Sequence, residues 1–186
     1  MQWNGIKVPV VVLALLVGMG ALWGAQWLFN RFNYERPLTR VLQENGDIAS
    51  YKINDQGPVL EVEVKLRKVE NIQESYNKLS GSLRDIVGSR SVKITIKDDR
   101  DAVLEGICYQ TRLAAYEALE RGNFLEMEGF IAQRAAREGA RARVFLDHDR
   151  MYIQINHDNK YLYEIISRDG QPGSPLYGET ERRRPS

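Results

Sequence analysis

From Leu60 to Leu66 apolar and polar residues alternate without a break: Leu60, Val62, Val64 and Leu66 on one side, Glu61, Glu63 and Lys65 on the other. A period of two is that of a half-buried strand. Val92, Ile94 and Ile96, alternating with Lys93, Thr95 and Lys97, predict a second strand of the same kind. Between them Ile72, Tyr76, Leu79, Leu83 and Ile86 recur at helical spacing. Asn71 is placed to cap that helix and Gly88 to end it, while Gly81 weakens its middle by up to ~1 kcal/mol relative to alanine. Upstream, Pro37 to Glu44 reads as a short helix stopped by Asn45-Gly46, and Ile48 to Ile53 as a strand running into the turn Asn54 to Pro58.

Beyond Lys97 the period changes again. Asp98, Asp99 or Asp101 can begin a helix whose buried stripe is Leu104, Ile107, Cys108, Ala115, Ala118 and Leu119, closed by Gly122. Asn123 followed by Glu126 has the spacing of a capping box and opens a second helix, with Phe124, Met127, Phe130, Ile131 and Ala135 inward and Gly139 as its stop. The pair predicts an αα-hairpin. Three short strands follow at about Arg141–Leu146, Met151–Ile155 and Tyr161–Ile166, joined by the turns Asp147–Arg150 and Asn156–Lys160. The expected class is α+β in the order α-β-β-α-β-α-α-β-β-β, with a mostly antiparallel sheet. In element order, residues 37–98 resemble small αββαβ modules such as the BON domains of bacterial envelope proteins, and more loosely the ring-building domains of secretion machinery.

The N-terminal run has no period at all. Val8 to Phe29 is 22 residues without a charge, with Trp23, Trp27, Phe29, Phe32 and Tyr34 gathered towards one end. At 1.5 Å per residue it is about 33 Å long, and it predicts a single transmembrane anchor with the lipid bilayer as partner through residues 8–29. A cleaved signal peptide fits less well, because its apolar core is about 7–15 residues and is followed by small residues rather than Trp27-Leu28-Phe29. Arg31, Arg36 and Arg40 outweigh Lys7 across the run, which favours a cytoplasmic side for the domain by one or two charges. Gly20 and Gly24 have the spacing that lets two helices approach. The expected organisation is an anchor segment over 1–30, a domain over 31–168 with sub-blocks 37–98 and 99–168, and a disordered polar tail over 169–186.

Composition narrows the function. Lysine plus arginine (26) balances aspartate plus glutamate (25), so binding nucleic acid through bulk charge is not expected. One cysteine, Cys108, excludes an internal disulfide and a four-cysteine zinc site. Asp147-His148-Asp149 and His157-Asp158 could together ligate a metal, but turns favour these residue types for backbone reasons. They also sit at opposite ends of a shared strand, about 15 Å apart for five residues. Cys108 lies on an apolar stripe and has no histidine tied to it in sequence, so it reads as a core residue and not a nucleophile. Phosphate loops, nucleophile elbows and zinc-protease motifs are missing from the sequence. Tyr152, Tyr161 and Tyr163, with Phe145, are expected to form a partly exposed aromatic set, either packing across strands or stacking bases. No catalytic, cofactor or metal residues are assigned, and no nucleic acid is expected. The sequence therefore predicts a membrane-anchored protein-interaction or assembly module without catalytic activity, taking a protein partner or a second copy of itself. The alternative is a small-ligand sensor or enzyme with a scattered site.

Overall fold

A computed structural model describes the backbone over 8–30 and 36–168, and the side chains over 11–25 and 36–168. The chain divides into two compact units, Met1–Val41 and Leu42–Ser186.

The first unit contains α1 (Val8–Asn30) and most of α2 (Arg36–Glu44). The described side chains of α1, 11–25, are all exposed. Among the described residues no helix is long and apolar enough to cross a membrane. This corrects the single-pass expectation, and the cytoplasmic lean that depended on it falls with it. The tail 169–186 lies outside the described residues.

The second unit is α+β, with two mostly antiparallel three-stranded sheets in place of one. The alternating runs form β1 (Ile48–Asn54), β2 (Leu60–Leu66) and β3 (Val92–Lys97), in the order β1-β2-β3. β1 and β2 are antiparallel. β2 and β3 are parallel, with Leu60 opposite Val92 and Val64 opposite Ile96. A parallel pair needs a crossover, which α3 (Ile72–Val87) supplies. The Asn71 side chain accepts from the Glu74 N–H and caps α3, and Gly88 at φ 61° ends it.

The αα-hairpin is α4 (Ala102–Arg121) and α5 (Phe124–Arg137). Asp101 is the residue that caps α4, its side chain accepting from the Leu104 N–H at 2.8 Å. Asn123 makes no side-chain cap. Its amide instead donates to the Glu126 carboxylate at 3.1 Å, so the expected capping box is replaced by one side-chain bond. The meander is β4 (Arg141–Leu146), β5 (Arg150–His157) and β6 (Lys160–Ser167), antiparallel throughout.

One face of this second sheet carries Met151, Ile153, Ile155, Leu162 and Ile166, which form a core with the inner faces of α4 and α5. The opposite face is covered by the first block. There Tyr161 donates to the Leu66 carbonyl at 2.7 Å. The Tyr163 hydroxyl accepts from the Val69 N–H at 2.8 Å and donates to the Arg67 carbonyl at 3.1 Å. Gln154 accepts from the Ile72 N–H and donates to the Val69 carbonyl. Asp99 and Tyr161 exchange both backbone hydrogen bonds, so the two sheets touch where β3 ends.

Candidate functional site

β6 must bury residues on both faces, and this produces the main polar cluster of the unit. Period two puts Glu164 on the core face between Leu162 and Ile166. Arg112, from the middle of α4, meets it with two hydrogen bonds, at 3.1 and 2.8 Å. Arg100, just before α4, donates to it at 3.1 Å and also grips Asp98 through two bonds of 2.8 and 3.0 Å. Asp98 in turn accepts from the Tyr163 N–H. The Cys108 thiol lies 3.3 Å from Glu164 and 3.1 Å from Arg100. Burial and then the Glu164 charge push the thiol up to about 11, so it is protonated at neutral pH. Burial opposes the Arg100 charge, and the Asp98 and Glu164 carboxylates outweigh it, leaving its pKa raised. The Glu164 bond does the same for Arg112. Every charge in the cluster is answered by another, which is the condition for a structural network. Sequence reasoning missed it. The available signal was a lone glutamate sharing a strand face with Leu162 and Ile166.

The two turn groups stay apart. Asp147 closes the β4–β5 turn, accepting from the Asp149 and Arg150 N–H groups and from the Tyr152 hydroxyl. Burial works against its charge, and these bonds win, so its pKa is lowered. His148 lies in that turn and lends its carbonyl to Arg168. Asp149 lends its carbonyl to the Arg168 N–H. His157 ends β5, about 23 Å away along the strand, and its Nδ1 lies 2.6 Å from Asp101. That bond raises the His157 pKa. The Leu104 N–H and then His157 lower that of Asp101. Asp158 takes φ 50° in the following turn, a conformation aspartate tolerates. Among the described residues no group of three or more His, Cys, Asp or Glu could hold a metal.

Tyr152, Tyr161 and Tyr163 are buried, not partly exposed, because the first block covers their face; Phe145 is half-buried. Tyr152 packs its ring 5.8 Å from Tyr76, whose other neighbour is the Arg150 guanidinium. Burial raises the Tyr163 hydroxyl to about 12.

Among the described residues a groove of about 250 Å³ opens beside the Glu164 cluster, bordered by Tyr76, Arg100, Arg112 and Glu164, and other open surfaces lie away from it. A broad groove of about 1050 Å³ runs beside β4, bordered by Lys68, Arg141, Arg143, Gln154 and Asn156; among the described residues the Asn156 Oδ1 has no hydrogen-bond partner. A smaller groove of about 330 Å³ lies between α4 and α5 on their outer side. Its apolar walls are Leu113, Ala114, Met127 and Phe130. Leu113 and Phe130 are 55% and 47% exposed, and Tyr109, one turn before Leu113, is exposed too. Comparison with known protein families, with characterised proteins and with solved structures finds no match to this chain.

Proposed function

We propose that this chain is a protein-interaction or assembly module with no chemistry of its own, which engages its partner through the outer face of the α4–α5 hairpin. One observation carries the reading. α4 is apolar on both sides: its inner stripe is used by the sheet, and Tyr109 and Leu113 on the outside have nothing over them among the described residues. An apolar helical groove rimmed by charge is the form in which a helix or helix pair is recognised. The polar clusters point the same way, since Glu164 and Asp147 are engaged by their own neighbours.

The test is co-purification of tagged full chain from cells. Leu113→Asp with Phe130→Asp alters exposed positions and is expected to change stability by no more than about 0.5 kcal/mol each. Loss of associated protein with the circular dichroism unchanged supports the reading; undiminished association, or none in the parent chain, overturns it. A small-ligand sensor is the second reading, favoured by the unpaired Asn156 Oδ1 beside the broad groove. Its mark would be a ligand whose binding is lost in Asn156→Leu and retained in the hairpin variant.

A further inference from the structure

Charge is distributed unevenly along the hairpin groove. At its loop end stand Glu117, Glu120 and Glu126. At the other end Arg134 donates to Gln110 at 2.7 Å, with Arg137 one turn on. Arg121 and Glu138 partly answer these charges within their own helices, through i,i+4 pairs with Glu117 and Arg134. Glu126 accepts from the Asn123 amide and, among the described residues, forms no ion pair. The apolar centre, Leu113 and Phe130, lies midway between the acidic and the basic end.

Such an arrangement is complementary to itself. A second hairpin turned by a two-fold axis through the Leu113–Phe130 centre sets its Arg134 end over the Glu126 end of the first, and the reverse contact follows by symmetry. A copy laid in the parallel sense would oppose like charges. We infer that the occupant of the α4–α5 groove is a second copy of this chain, packed hairpin to hairpin as an antiparallel four-helix contact. The inference rests on the reading of this face as a docking surface and names its partner. α5 has 14 residues, about 21 Å, and two adjacent helices are about 20 Å across. That footprint lies at the lower limit of specific contacts, which places the dimer among weak, reversible pairs.

The experiment uses purified full chain carrying a photo-reactive phenylalanine at position 113. A covalent adduct of twice the chain mass, mapped to the hairpin of both copies, is expected. Glu126→Arg alone places like charges at both symmetric contacts and should reduce the adduct about tenfold. Arg134→Glu alone should do the same. When the two variants are mixed, every contact again joins opposite charges, and the adduct should return to near the parent yield. Where a reversal unfolds the chain, Glu126→Gln and Arg134→Gln keep the test open, each predicted to give a smaller loss. No dimeric adduct, or no recovery on mixing, overturns the inference. If position 113 instead captures a different protein in cells, and Phe130→Asp abolishes that capture, the docking surface stands and the second copy is wrong. If it captures neither, both fail.

Discussion

Removing the Glu164 carboxylate tests the account of the core. Glu164→Ala strands two guanidinium groups that it now neutralises. Where both partners are fully buried, breaking such a pair costs about 3–5 kcal/mol. Here the Arg112 side chain is 52% exposed and can rehydrate, and Arg100 keeps its two bonds to Asp98. Solvent screening on the Arg112 side therefore lowers the expectation to about 2 kcal/mol. For a unit of this size one kcal/mol corresponds to about 2–4 °C in Tm, so a fall of about 4–8 °C is expected. Urea unfolding followed by tryptophan-independent circular dichroism should show a lower midpoint with an unchanged m-value. Glu164→Leu combined with Arg112→Leu removes both charges and should be much nearer to the parent. A single-variant effect below about 0.5 kcal/mol would refute the reasoning. So would a paired variant as damaged as the single one, because the cost would then be lost volume and not stranded charge.

Other outcomes follow from the same geometry. Asp101 raises the His157 pKa above its ordinary value, so the bond stabilises the fold fully below about pH 6.5 and is lost as pH rises through the folded-state pKa; the gap in unfolding midpoint between parent and His157→Gln should narrow as pH rises above about 6.5. Asp101 itself has a lowered pKa, so its contribution fades only in acid, as pH falls below about 3.8. Gly81→Ala meets no atom within 4 Å in a helix interior and should stabilise by up to about 1 kcal/mol, whereas Gly88→Ala forces alanine to φ 61° and should destabilise by at least as much, both read from thermal melts. Tyr163→Phe leaves the Val69 N–H without its acceptor and should cost about 1–3 kcal/mol, with faster hydrogen exchange at that amide.

What could be read beforehand was whatever depends on near neighbours in sequence. The Leu60–Leu66 alternation emerged as β2, and Asn71 and Gly122 as helix ends, because a side chain's face and a cap are decided within a few residues. The buried tyrosines were misread because alternation reports how one face differs from the other, and β5 and β6 are covered on both. Gln154 at the centre of β5 was the local hint: a buried amide in an apolar strand needs a polar surface opposite, here the backbone at Val69 and Ile72. Arg100 and Arg112 meet Glu164 across more than fifty residues of chain, so only its place on the apolar face, and not its partners, was legible. The parallel pairing of β2 with β3 likewise depends on how α3 crosses over, which no local pattern encodes.

The linker between β2 and α3 obtains from Gln154 and Tyr163 the hydrogen bonds that a neighbouring strand would normally provide. Both donors of that help lie more than eighty residues downstream. During synthesis the ribosome delivers 67–72 long before the side chains that satisfy it. The first block must therefore wait with its linker hydrated until β6 has left the exit tunnel. Final closure of this unit thus waits for β6, and truncation between Lys97 and Tyr163 should leave the first block incompletely folded even though every residue of its own sheet is present.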